Sequence, residues 1–304
     1  MTSSILVVGT VAFDSLKTPF GAADEILGGS ATYFSVSASY FAPVNLVAVV
    51  GNDFPDRHLD IFRKHKIDIT GLAQVPGRTF RWKGEYGYDL NEAKTLETQL
   101  NVLEAFDPVL PEAYRSCDYV FLGNFDPALQ LKVLQQIKRP KVVACDSMNF
   151  WIKSRLEAVK TTIAHVDILI INDTEARMLA NEPNLVRAAG RILGMGPRTL
   201  IVKRGEYGAL MFNGKSVFGA PAFPLEDVYD PTGAGDTFAG GFMGALAHAG
   251  EVSEKVFRRG IIYGSVMASF NVEQFGLQRL TGLKREEIDE RFRQFKHMTH
   301  FEEL

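Results

Sequence analysis

Asp230-Pro231-Thr232-Gly233-Ala234-Gly235-Asp236-Thr237-Phe238-Ala239-Gly240-Gly241 sets a small, flexible turn directly against an apolar stretch that reads as a helix from Phe238 to Ala249. A helix start offers unpaired backbone amides and the positive end of a dipole. Glycines there let the backbone approach a phosphate closely. Asp236 stands at the mouth of that anion site. A carboxylate beside an anion hole is out of place if the site only binds phosphate. It makes sense as a general base that takes the proton of an attacking hydroxyl while the amides steady the phosphoryl group.

Gly-Ala-Gly-Asp by itself fits equally well a helix end succeeded by a new helix. The residues after it are more specific. Gly240, Gly241 and Gly244 fall inside the expected helix, and each weakens it by about 1 kcal/mol relative to alanine. Such a helix needs close packing against another backbone. The twelve-residue block resembles the second signature of the PfkB or ribokinase family of small-molecule kinases. That resemblance implies Asp236 as catalytic base and Gly233, Ala234 and Gly235 as the phosphate-binding anion hole.

Outward from this block, short apolar runs recur at Ile5–Val8, Leu46–Val50, Tyr119–Leu122, Val142–Cys145, Ile168–Ile171 and Leu200–Val202. Helical patterns separate several of them, at Ala31–Phe41, Asp56–Lys64, Pro127–Ile137, Arg155–His165, Glu175–Leu179 and Val186–Leu193. This alternation predicts a doubly wound α/β sandwich with a mostly parallel sheet. Ligands then bind beyond the carboxyl ends of the strands. The resemblance makes the fold a ribokinase-like three-layer α/β/α sandwich, one domain over residues 1–304. Two stretches break the alternation, and both read as a small β lid covering about 15–28 and 76–104. The second carries alternating Phe80, Trp82, Tyr86 and Tyr88, the mark of a half-exposed sheet. The charged tail from Lys284 to Leu304 reads as an amphipathic surface helix.

Gly214-Lys215-Ser216 imitates the end of a P-loop, but the first glycine of that motif would have to stand at Ala209. Asn213-Gly214 between two β-like runs reads instead as a hairpin turn. The dinucleotide fingerprint fails as well, because Phe238 stands where its third glycine belongs. A nicotinamide dehydrogenase is set aside on that ground.

With 304 residues the chain can bury a sizeable core, and 46% hydrophobic with 23% charged residues is ordinary for a globular enzyme. A net charge of −3 gives no reason to expect nucleic acid or an anionic membrane as partner. Cys117 and Cys145 adjoin apolar runs and read as buried free thiols. No transmembrane run or basic leader is visible in the sequence, and the cytoplasm is the expected compartment.

The remaining motifs take their meaning from their order along the chain. Asn172 to Glu175 comes directly after a strand and, alone, is a helix cap with an acidic first turn. It resembles the family's Asn-x-x-Glu motif, which implies that Asn172 and Glu175 order Mg²⁺ through water; Mg²⁺ keeps several waters and needs few protein oxygens. Lys203 and Gly205 fall where the family has Thr-x-Gly against the nucleotide phosphates. The lysine is a departure that still supplies positive charge. Asp14 matches the acid that binds sugar hydroxyls, and Gly28-Gly29 the di-glycine hinge. Val50-Gly51-Asn52-Asp53 matches the next family element, Val-Gly-x-Asp.

Other departures bear on the substrate. Ala12 and Tyr33 replace asparagines that hold the sugar in many relatives, and Asp146-Ser147-Met148-Asn149 only partly resembles Asp-x-Asn-x-Arg. An aromatic side chain in the pocket suits a ring face. The resulting expectation is an ATP- and Mg²⁺-dependent kinase for a hydroxyl of a small sugar or inositol-like polyol, with Asp14, Gly28, Gly29 and Tyr33 on the acceptor. The alternatives are a nucleoside kinase of the same family and a non-catalytic sensor that kept the fold. Asp230 and Thr232 precede the anion turn where some relatives hold a monovalent cation, which is left open. Exposed lid edges suggest a homodimer.

Overall fold

Four residues, Ile5–Val8, form the strand on which everything else is hung. All four are wholly buried and their side chains alternate between two cores: Ile5 and Val7 on one face of the sheet, Leu6 and Val8 on the other. Both faces must therefore be covered, as in parallel α/β sheets. The structure is a computed structural model and describes residues 3–214, 216–300 and 302.

In chain order the strands are β1 (Ile5–Val8), β2 (Ala12–Thr18), β3 (Gly21–Gly28), β4 (Val44–Gly51), β5 (Asp68–Val75), β6 (Arg81–Tyr86), β7 (Ala93–Gln99), β8 (Tyr119–Leu122), β9 (Val142–Cys145), β10 (Ile168–Asn172), β11 (Thr199–Lys203), β12 (Ala209–Asn213) and β13 (Ser216–Ala220). The helices are α1 (Ser30–Ser39), α2 (Asp56–Lys64), α3 (Pro127–Leu134), α4 (Asn149–Ser154), α5 (Leu156–Ile163), α6 (Asp173–Ala180), α7 (Leu185–Leu193), α8 (Ala234–Ala249), α9 (Glu254–Asn271) and α10 (Arg285–Met298).

Nine strands form the main sheet in the order β13-β12-β11-β10-β9-β8-β1-β4-β5, parallel except at β12 and β13. β1 pairs with β4 on one side and β8 on the other. The chain thus winds outward in both directions from β1, and the crevice at its carboxyl end is where such folds bind ligands. Residues of α1, α8, α9 and α10 pack on one face, those of α3, α5, α6 and α7 on the other. The three glycines of α8 are explained by close approach. A Cβ at Gly240 would lie 2.4 Å from the Phe34 carbonyl oxygen of α1, and one at Gly241 would lie 2.8 Å from the Tyr263 carbonyl oxygen of α9. At Gly244 it would meet the Phe41 ring at 2.9 Å.

A second sheet, β3-β2-β6-β7, stands apart from the first. Its β2–β3 hairpin turns at Pro19-Phe20, with Thr18 opposite Gly21. The Asn213-Gly214 turn does join an antiparallel pair, with Asn213 opposite Ser216. Lys215, in that turn, lies outside the described residues, as do Met1, Thr2, Phe301, Glu303 and Leu304. Both cysteines are buried and free.

Three elements escaped the sequence reading. β5 is an edge strand with many exposed side chains, so it lacks the apolar run of its neighbours. α4 is only six residues long. α9 is long and largely buried, and its start is signalled by Ser253, whose hydroxyl accepts the Val256 amide at 3.3 Å. Asp14 lies in β2 opposite Ile26 and Trp82.

Candidate active site

The Gly-Ala-Gly turn opens α8 as its sequence demands. Gly233 caps the helix at φ 72°, in the left-handed region that glycine adopts freely. The Ala234 amide folds back onto the Pro231 carbonyl at 3.2 Å, so it is engaged within the turn. Asp236 sits in the first turn of α8, and burial, with repulsion from Asp146 as the next cause, pushes its carboxyl well above the ordinary range. Lys203 and its own backbone amide pull the other way.

Strand ends of the main sheet bring three more charged groups to this turn. The Lys203 ammonium, at the end of β11, lies 3.0 Å from Asp146 Oδ2, just past the end of β9. Burial would lower the Lys203 pKa, but Asp146, Glu175 and Asp236 together outweigh it and raise the pKa. Glu175, nearly buried in α6, is raised by desolvation and by Asp146. Asn172 and Glu175 form a reciprocal capping box: the Glu175 amide donates to Asn172 Oδ1 at 2.8 Å and the Asn172 amide donates to Glu175 Oε2 at 2.7 Å. The capping reading of this pair is realised in that geometry.

The other side of the crevice comes from β2, α1 and β6. Asp14 is buried, and desolvation raises its carboxyl to about 7 against the lowering effect of the Gly29 amide; Asp230 and Asp236 add to the rise. A Cβ on Gly28 would lie 1.9 Å from Asp14 Oδ2, so the carboxylate rests directly on that backbone. Gly29 caps α1 at φ 94° and passes 2.5 Å, measured from an added Cβ, from the Thr10 carbonyl oxygen. Tyr33 is 1% exposed. Its ring covers Gly233, where a Cβ would meet it at 2.4 Å. The ring expected at a ligand thus also packs on the glycine turn. What remains free is the Tyr33 hydroxyl, buried and without a hydrogen-bond partner among the described residues. Burial, then Asp14 and Asp230, hold it protonated by raising its pKa.

Sequence reading missed Tyr86 as a neighbour of the turn: its hydroxyl accepts a hydrogen bond from Thr232 Oγ1 at 3.2 Å. The alternation around it marked a strand but not its partner. Asp146 was noted only as part of an imperfect motif. Asp53 secures the small sheet, accepting from the Thr79 amide at 2.8 Å and pairing with Arg81 at 2.9 Å. Gly205 lies beside Asn91 of the β6–β7 loop, whose Oδ1 accepts the Glu206 amide at 3.3 Å. Asp230, fully buried, accepts the Thr232 and Gly276 amides, each at 2.8 Å.

A sandwich whose crevice joins a half-buried carboxylate at a helix start to a lysine and further carboxylates is the architecture of a small-molecule kinase. The chain belongs to the pfkB family of carbohydrate kinases, whose model matches residues 13–281. A cytidine kinase of Thermococcus kodakarensis is 30% identical over 259 residues, covering 83% of this chain and 91% of its own. A nucleoside kinase from Methanocaldococcus jannaschii superposes with a TM-score of 0.77 at 21% identity, over 96% of this chain and 98% of its own. An E. coli protein termed ribokinase II, solved with ATP and Mg²⁺, gives 0.78 at 18% identity, over 96% and 99%. The ribokinase fold and kinase activity expected from the sequence stand. Among the described residues no helix is long and apolar enough to cross a membrane.

Proposed function

We propose that the chain transfers the γ-phosphoryl group of ATP to a hydroxyl of a nucleoside. The observation that carries this reading is Asp236, a half-buried carboxylate of raised pKa in the first turn of α8, facing Lys203 across Gly235. Asp236 takes the proton of the acceptor hydroxyl. The amides of Gly233 and Gly235 and the Lys203 ammonium meet the charge of the phosphoryl group. Asp14 accepts hydrogen bonds from the acceptor's hydroxyls, and the small sheet acts as a lid. Phosphoryl transfer asks a protein mainly for such positioning and charge stabilisation.

The likeness to a cytidine kinase over most of both chains favours a nucleoside over the simple sugar or inositol that the sequence first suggested. The polyol reading keeps one support: the Tyr33 ring is covered by Gly233 and offers its hydroxyl, not its face.

Mg²⁺ fits this site as a water-borne ion. Among the described residues no group of three or more His, Cys, Asp or Glu side chains is placed to hold a metal directly. Glu175 and Asn172 would hold it through its waters, and it would supply charge neutralisation between the phosphates. Asp230 and Thr232 remain the candidates beside a monovalent cation, and the lid edge remains the candidate dimer contact.

The test is ADP release from Mg·ATP with cytidine, adenosine, inosine, myo-inositol, ribose and fructose, wild type beside Asp236→Asn. One acceptor should stimulate wild type, and the variant should lose about 10²–10⁴-fold in kcat, the usual contribution of a general base, while retaining ADP binding. Near wild-type turnover by Asp236→Asn would sink the base assignment.

A further inference from the structure

Lys203 is where this chain departs from the threonine that its resemblance led one to expect, and its surroundings are unusual. An ammonium set at the amino end of a helix is repelled by the dipole, so something must hold it there. Its Nζ lies 2.8 Å from the position of a Cβ on Gly235, which places the charge on the backbone of the anion turn itself. The holder is Asp146, at 3.0 Å, and both side chains are largely buried, at 18% and 7% exposure. Asp146 is fixed in turn: its Oδ1 accepts the Ser147 amide at 2.8 Å, and its carbonyl oxygen accepts from Gln130 Nε2 at 3.1 Å. A short side chain, held at its carboxylate by one amide and at its backbone carbonyl by Gln130, thus aims a long, flexible cation.

Resting on the kinase reading above, in which Lys203 meets the phosphoryl group, we infer that Asp146 is a positioning residue that aims the Lys203 ammonium at the anion turn. An anion seated on the start of α8 meets Lys203 as well as the amides. A threonine at this position would bring a neutral hydroxyl in place of a full charge. The compact, strongly charged ammonium acts as a point charge on phosphate. Removing Asp146 leaves the lysine charged but free to swing, so ground-state affinity for nucleotide survives while the aim is lost.

Asp146→Asn, Lys203→Met, Lys203→Arg and the Asp146→Asn/Lys203→Met double variant separate these roles. Lys203→Met should lose about 10²–10³-fold in kcat, the scale for deleting one charge-stabilising donor. Asp146→Asn should lose about tenfold in kcat, with ADP affinity and the acceptor KM within about threefold of wild type, the KM-against-kcat split of a transition-state effect. Lys203→Arg should recover part of the loss. Because Asp146 acts through Lys203, the double variant should be no slower than Lys203→Met alone. Additive losses, or an unchanged kcat in Asp146→Asn, overturn the inference. Should Lys203→Met fail to fold, the near-isosteric Asp146→Asn and the conservative Lys203→Arg decide, with melting temperature as control. Asp236→Asn run in parallel keeps the two readings apart. Full turnover there removes the base, whereas an inactive Asp236→Asn with additive Asp146 and Lys203 losses removes only this inference.

Discussion

The two walls of the crevice differ in counter-charge, although burial raises the carboxyls of Asp236 and Glu175 on one and of Asp14 on the other. On the nucleotide wall, Asp146, Glu175 and Asp236 share Lys203 as counter-charge. On the acceptor wall, Asp14 has Asp230 and Asp236 as its charged neighbours, and its carboxyl rises to about 7, chiefly through burial. The Gly29 amide acts against that rise, and the hydroxyls of Tyr33 and Tyr86 share the same charged surroundings. Buried charge is tolerated when paired. On the function proposed above, the nucleotide wall offers its lysine to the charge of a polyanion. On the same proposal, the acceptor wall offers Asp14, which has no cationic partner, to the hydroxyls of a neutral ligand.

Two glycine substitutions would break this division most sharply. Gly28→Ala drives a Cβ to within 1.9 Å of Asp14 Oδ2, and the short side chain of an aspartate has little room to yield. Loss of a buried, orienting contact of this kind should cost about 10²-fold in kcat/KM for the acceptor, with ADP affinity unchanged. Gly235→Ala meets only the far end of Lys203, at 2.8 Å. That flexible end can retreat, so its effect should be smaller and confined to the nucleotide side. If both variants shifted the same kinetic constant, the two walls would not be separable.

Asp14 also gives the comparison a thermodynamic edge. Its folded pKa of about 7 exceeds the unfolded value of 3.8. The folded state thus holds the proton more tightly, and this contribution to stability is complete below about pH 4 and lost as pH rises through about 7. Asp14→Asn should accordingly melt higher than wild type at pH 8, by an amount of order 1–4 kcal/mol in stability, and equal to it near pH 4. Asp146→Asn should show no such gain at pH 8, since it strips Lys203 of its ion pair. A gain in both, or in neither, would contradict the assignment of pairing to one wall only. The exchange of stability for a functional carboxylate is a common feature of active sites.

Much of the main sheet was legible because its strands are wholly buried and announce themselves as apolar runs. Ile5–Val8, Tyr119–Leu122 and Val142–Cys145 occupy the residues their hydrophobicity marks. β5 was not, since an edge strand with polar side chains carries no such mark. The glycines of α8 were readable as a demand for close packing, though not as contacts with α1 and α9 in particular. In the candidate site, Asp236 and the glycine turn were visible because their chemistry is local. The Asp146–Lys203 pair joins residues 57 positions apart in the chain, and nothing in either local sequence names the other. The same holds for Tyr33 against Gly233, a contact that neither local sequence names.

The walls meet at one more place, and it should give the smallest effect. Asn91, in the β6–β7 loop, accepts the Glu206 amide at 3.3 Å and occupies the space a side chain on Gly205 would need, 1.7 Å from the Cβ position. The loop of the small sheet thereby rests on the loop after β11, beside Lys203. A single exposed hydrogen bond is worth about 0.5–1 kcal/mol, so Asn91→Ala should raise KM about two- to fivefold. If the contact joins the acceptor wall to the nucleotide wall, the KM values for acceptor and for ATP should rise together while kcat stays within about twofold. A rise in one KM alone would mean that the loop serves only one wall, and that closure over acceptor and nucleotide are separate events in this enzyme.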